Sequence, residues 1–289
     1  MMKRIILIIA WCVFVLGLKA QPPLQLDCNT VFVCLDSITY SALFSNPFVN
    51  DTLAICRENT TSTGNERYSG KYFIGKSATL EFFQPTLNNR VGDHLGDVGI
   101  EFKTRLSGDR RRVVKNAKQL KVLLDTSTVY LQTEEGKISW YSVAKVMGTT
   151  QNLELSIIDY TAAFLNFRSF TKAEISRPMT YGYYNTRLSG GRSYPRLFNE
   201  ITELVLEVDS LNLNRLRGYA KLNLLKEVGQ SFEGAAIKII YKLVKEGSGA
   251  RLVSMKLGLL VDQSDRKIQL SDRLWLHVYG RTAELSFFK

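Results

Sequence analysis

An internal repeat limits the fold of this chain more than any single motif does. Gly75-Lys76-Ser77-Ala78-Thr79-Leu80-Glu81-Phe82-Phe83 aligns without a gap with Gly280-Arg281-Thr282-Ala283-Glu284-Leu285-Ser286-Phe287-Phe288, with five of nine positions identical and Lys/Arg and Ser/Thr agreeing in kind. The openings echo as well, Thr30-Val31-Phe32-Val33-Cys34-Leu35-Asp36-Ser37 against Glu203-Leu204-Val205-Leu206-Glu207-Val208-Asp209-Ser210. Each copy opens on an apolar strand closing in Asp-Ser and finishes with a glycine turn and a strand running into Phe-Phe. That order predicts two similar folding units at the front and back of the chain.

Periodicity fills in the units. A strand over 30–35 precedes a helix over 38–44, then strands over 52–61, 68–74 and 78–83, the last stopped by Pro85. A similar order runs from a strand at 98–103 through a helix at 113–124 to strands at 129–132, 138–146 and 153–158. A third begins at 203–208, with a helix over 211–227 and strands over 236–244, 251–261, 274–279 and 284–288. The expected class is α+β, built from repeated βαβββ-type modules with curved antiparallel or mixed sheets. Residues 21–167 form an N-terminal region with modules at about 30–84 and 97–158. Residues 168–200, rich in Tyr, Arg, Gly and Ser, form a long connection, and 201–289 a C-terminal module.

Residues 1–20 read as a cleaved signal peptide. Met1-Met2-Lys3-Arg4 precede an apolar run from Ile5 to Leu18, followed by Lys19-Ala20 and Gln21-Pro22-Pro23. That run is shorter than the roughly 20 residues a membrane-spanning helix needs, and no later stretch would span after its removal. The mature chain is therefore expected to be exported, periplasmic or extracellular. Loss of Lys3, Arg4 and Lys19 lowers the formal charge from +11 to +8. A basic exported protein gains solubility and suits contact with an anionic envelope surface. Cys28, Cys34 and Cys56 remain, an odd number that allows one disulfide in an oxidising compartment.

The unit order resembles the vicinal oxygen chelate superfamily, which includes glyoxalase I, methylmalonyl-CoA epimerase and extradiol dioxygenases. The wider pattern resembles an uncharacterised family of exported bacterial proteins, a domain of unknown function. The stretches that carry it are 31–40, Tyr68-Ser69-Gly70-Lys71-Tyr72-Phe73-Ile74-Gly75, Thr79-Leu80-Glu81-Phe82-Phe83, Ile175-Ser176-Arg177, 197–209 and 279–288. The superfamily resemblance implies paired units curled around a shared cavity, with metal ligands on the first and last strands of each unit. The first-strand position, usually His, holds Thr30 in one copy and Glu203 in another. The last-strand position, usually Glu, holds Glu81 in the first copy and Ser286 in the last. Alternation puts Thr79, Glu81 and Phe83 on one face and Glu284, Ser286 and Phe288 on the corresponding one. Glu81, Glu203 and Glu284 are thus the candidate ligand or metal set, an all-oxygen group suited to Mn²⁺, Mg²⁺ or Ca²⁺ rather than zinc. No imidazole falls at a ligand position, so no cofactor is expected, with a divalent metal as the alternative.

Other constellations are sparser. His94 lies in a turn-like Gly92-Asp93-His94-Leu95-Gly96-Asp97, and His277 alternates with Trp275 and Tyr279 as a structural strand residue would. Nucleophile elbows, zincin pairs, phosphate loops, dinucleotide fingerprints and nucleic-acid motifs are absent from the sequence. Arg110, Arg111, Arg112, Lys115, Lys118 and Lys121 flank an apolar stripe and read as a charged helix face. In the connection, Tyr183 and Arg187 stand among further Tyr and Arg residues suited to covering a cavity or gripping an acidic partner. The expected function is a metal-free or non-catalytic module binding a small or acidic ligand. The alternatives are a metal-dependent lyase, isomerase or dioxygenase, and a basic envelope interaction protein.

Overall fold

A computed structural model describes residues 23–63, 67–87, 90–134, 136–148, 152–191, 195–235 and 237–287; the expected signal peptide and Phe288 lie outside them. Strand β1 (Leu26–Cys34) leads to Asp36, whose carboxylate accepts from the Thr39 N–H at 2.9 Å and so caps helix α1 (Ser37–Ala42). After a π-turn at Val49–Leu53 come β2 (Ile55–Ser62), β3 (Arg67–Ile74) and β4 (Thr79–Phe83). β4 returns beside β1 in parallel, placing Thr79 opposite Thr30 and Glu81 opposite Phe32. The second unit repeats the plan with β5 (Val98–Thr104), α2 (Arg110–Leu120), β6 (Leu124–Thr133), β7 (Gly136–Val146) and β8 (Leu153–Tyr160), with β5 and β8 parallel. Antiparallel pairing of β1 with β5 joins both units into one eight-stranded sheet, ordered β2-β3-β4-β1-β5-β8-β7-β6.

The long connection expected over 168–200 carries two short helices. Helix α3 (Ala162–Phe167) leads into it, and α4 (Lys172–Ile175) and α5 (Tyr181–Leu188) lie within it. Thr171 and Glu174 form a reciprocal capping box at α4, and Thr180 caps α5 by accepting from the Tyr183 N–H at 3.1 Å. These side chains satisfy the free backbone N–H groups that short helices otherwise leave exposed.

The third unit comprises β9 (Phe198–Val208), α6 (Ser210–Leu222), β10 (Lys226–Val228), β11 (Ser231–Glu233) and β12 (Lys238–Leu243), and Asp209 caps its helix through the Asn212 N–H. A helix-free hairpin of β13 (Ala250–Ser271) and β14 (Leu274–Phe287) completes a six-stranded sheet, β10-β11-β12-β9-β13-β14. The Asp-Ser echo thus marks equivalent helix starts. The Phe-Phe echo does not mark equivalent strands: β4 runs parallel to β1 inside its sheet, whereas β14 is an edge strand antiparallel to β13, and β12 is the parallel partner of β9. Both β4 and the end of β14 bury alternate residues, and that period of two is compatible with either pairing direction. The sheets stand back to back around a shared core. Helix α6 touches β7 and β8 of one and β9 and β12 of the other, and the Tyr219 hydroxyl lies 2.7 and 2.8 Å from the carbonyl oxygens of Ile100 and Ser156. The result is an α+β fold of βαβββ modules whose larger sheet curls into a half-barrel.

Candidate functional site

The front of the eight-stranded sheet lines an open trough of about 2540 Å³. That volume exceeds the 300–1,000 Å³ of ordinary ligand pockets, so its chemistry is best located by rows of residues across the sheet. One row is Tyr72, Glu81, Phe32, Gly99 and Glu154, on β3, β4, β1, β5 and β8. The next is Ile74, Thr79, Thr30, Glu101, Ser156 and Lys145. A Cβ on Gly99 would meet the Phe32 ring at 1.9 Å, so that ring lies over the glycine. β1 carries a bulge between Cys28 and Thr30, which brings consecutive residues Asn29 and Thr30 onto the trough wall.

The acids of the trough stand in different environments. Glu154 is ion-paired with Lys145 at 2.7 Å, and Glu101 accepts from the Asn29 amide at 2.7 Å. Glu81 accepts no hydrogen bond among the described residues. Burial, reinforced by the negative charges of Glu101 and Glu154, pushes the Glu81 carboxyl up to about 8. Burial likewise pushes Glu101 up to about 7, against the Asn29 bond that favours its anion. Tyr68 and Tyr72 are raised chiefly by burial and further by the Glu81 charge, placing their hydroxyls in its field. Helix α5 closes one end: the Tyr181 hydroxyl meets Thr79 Oγ1 at 3.1 Å, and Asn185 donates to the Gly75 and Lys76 carbonyls.

Of the site residues expected from sequence, only Glu81 lies in this trough. Glu203 and Glu284 stand on the six-stranded sheet, where Glu203 pairs with Lys256 at 2.8 Å and Lys256 is in register with both glutamates. The three therefore do not face a common interior, because β14 occupies an edge rather than the place of β4. Tyr183 and Arg187 point away from the trough and share Glu174, which accepts from the Tyr183 hydroxyl at 2.8 Å and from Arg187 Nε at 3.2 Å. Their chain neighbours Tyr181 and Tyr184 line it instead. Sequence reasoning missed Asn29, Glu101, Lys145 and Glu154; the available signal was a lone polar residue in an apolar alternation, as in Ile100-Glu101-Phe102 and Leu153-Glu154-Leu155. His94 pairs with Asp97 and His277 with Asp265, both outside the trough, and Cys28, Cys34 and Cys56 are free thiols.

The resemblance noted in the sequence implies a metal on the first and last strands, and the residues there test that directly. In one row these positions hold Phe32 and Gly99 with Glu81 and Glu154, in the other Thr30 and Glu101 with Thr79 and Ser156. Glu154 and Glu101 are already engaged by Lys145 and Asn29, and the Phe32 ring covers Gly99 between Glu81 and Glu154. Among the described residues no group of three or more His, Cys, Asp or Glu side chains gathers as a metal shell. As folded, this donor set does not fit a divalent ion.

A family model describing a "Family of unknown function (DUF5829)" matches residues 28–287. The chain belongs to DUF5829. None of the curated proteins matches this DUF5829 chain. Among solved structures it is similar to a 4-hydroxymandelate synthase variant from Streptomyces coelicolor, with 13% identity, a TM-score of 0.47, and 84% of this chain and 72% of that one covered. It is also similar to the Mn(II)-bound glyoxalase from Novosphingobium aromaticivorans, at 10% identity and TM-score 0.39, covering 76% of this chain and 63% of that one. An extradiol ring-cleaving dioxygenase from B. fuscum follows at 9% identity and TM-score 0.36, with 77% and 56% covered.

Proposed function

We propose that this chain is an exported, metal-free binding module that holds a small ligand in the half-barrel trough. The observation that carries the reading is Glu81: a carboxyl set between Tyr72 and Phe32 in a lined cavity, with no hydrogen-bond partner among the described residues. A carboxyl left without a protein donor keeps hydrogen-bonding capacity that a ligand can take up in place of trough water. Trp140 also lines the trough and provides a readout. Titration of the purified protein with a small-molecule library should change tryptophan fluorescence saturably for a subset of compounds, and Tyr72→Ala should abolish those responses. Responses that survive Tyr72→Ala would remove the trough from the account.

A second reading, contact with an anionic envelope surface, is favoured by helix α2. It buries Val113 and Ala117 and exposes Arg111, Lys115 and Lys118, with Lys121 exposed at its C-cap. Reversal of Arg110, Arg111 and Arg112 to Glu should abolish sedimentation with anionic vesicles. Unchanged sedimentation removes this reading.

A further inference from the structure

We infer that the trough selects a small organic cation, a primary ammonium or guanidinium group, seated between Glu81 and the Asn29–Glu101 pair; the inference rests on the trough being the ligand site. Three independent features converge on that chemistry. The first is an excess of acceptors over donors at the floor. Asn29, which lines the trough, is 1% exposed; its Nδ2 donates to Glu101 and Thr30, and its Oδ1 is buried without a partner among the described residues. The Asn29 amide oxygen lacks a donor, and an arriving cation stabilises the anion of the raised Glu81 carboxyl, whose proton leaves to solvent; an ammonium or guanidinium then supplies N–H groups to both while carrying no acceptor of its own.

The second feature is the walls. Glu81 is flanked in register by Tyr72 on β3 and Phe32 on β1, while Phe83 packs edge-on against both Phe32 and Tyr68, with centroids 5.8 and 5.9 Å apart. Aromatic rings gathered beside a carboxyl that ionises on binding favour a cation over an anion. The third is the position of the basic residues on these rows. Lys145 is committed to Glu154 and stands on β7, across β1, β5 and β8 from Glu81, and Arg57 is exposed on β2 beyond Tyr72; neither pairs with Glu81 among the described residues. Need for directed N–H donors further separates primary ammonium from quaternary ammonium, which can use the rings but not Asn29 Oδ1.

Benzylammonium, benzyl alcohol and benzoate form a near-isosteric test set, with tetramethylammonium and Mn²⁺ as further probes, read by calorimetry and thermal shift on the mature chain. Benzylammonium should bind one-to-one, at least ten-fold tighter than benzyl alcohol, with benzoate and tetramethylammonium weaker still. Glu81→Gln should cost at least ten-fold in benzylammonium affinity, and Glu203→Gln, on the other sheet, should cost nothing. Should Glu81→Gln fail to fold, Glu101→Gln reads the same preference. Benzyl alcohol binding as tightly as benzylammonium, with loss on Tyr72→Ala, would overturn the cation inference and leave the ligand trough standing. Stoichiometric Mn²⁺ binding lost in Glu81→Gln would overturn it in favour of a metal. Absence of binding by every probe would overturn the inference and count against the trough.

Discussion

Replacing Glu81 by Gln should stabilise the protein, and increasingly so as the pH rises. In the folded chain Glu81 holds its proton up to about 8, against an ordinary value of 4.5. The unfolded chain therefore releases the proton first, and wild-type stability falls as pH rises from about 4.5 to about 8, then levels off. At about 1.36 kcal/mol per unit the full penalty at pH 9 is about 5 kcal/mol, reduced to about 3 kcal/mol for the water that the open trough admits. Gln keeps the shape without the charge. At pH 5 the two proteins should melt together, and at pH 9 the variant should melt roughly 6–12 °C higher, at about 2–4 °C per kcal/mol for a chain of this size. Calorimetric melting at pH 5, 7 and 9 measures this. A constant offset between the two proteins across that range would refute the reasoning, because it would mean that Glu81 ionises in the folded chain as freely as in the unfolded one.

Gly99→Ala should cost about 1–3 kcal/mol through its clash with the Phe32 ring, and Phe32→Leu in the same chain should recover most of that in urea denaturation; no recovery would separate the two residues. Asp209→Ala removes the acceptor for the N–H groups of Asn212 and Gly249, each at 2.9 Å, and should cost roughly 2–3 kcal/mol, with a loss below 0.5 kcal/mol refuting its role as a joint cap. N-terminal sequencing of protein recovered from its native host should begin at Gln21, and a chain still starting at Met1 would overturn the expected export.

The repeating strand-helix-strand order was legible because the first and third modules announce themselves with local chemistry. Asp36 and Asp209 close an apolar strand and cap the next helix, and both ends of that event sit within four residues of sequence. The capping box at Thr171 and Glu174 was equally local, yet a composition rich in Tyr, Arg and Gly masked it. Pairing partners were not legible. The alternation around Glu284 matches that around Glu81, but which neighbour a strand selects depends on residues more than twenty positions away, here on β12 having taken the place beside β9. The site followed the same division. Glu81 was readable as an acid in an apolar strand; its relation to Asn29, Glu101 and Glu154 depends on β4, β1, β5 and β8 lying side by side, and on a bulge that aims two consecutive residues inward.

Strand β13 runs for 22 residues, and its far end does not stay with its own half of the chain. The Ser271 and Thr39 hydroxyls meet at 2.9 Å, and the Arg266 guanidinium lies 4.6 Å over the Phe48 ring, so the last hairpin braces the back of the very first module. Synthesis delivers that brace late. The front half must wait for Arg266 and Ser271 before its rear support is in place, so a nascent chain halted short of Arg266 would carry every lining residue of the trough and still lack the buttress behind it.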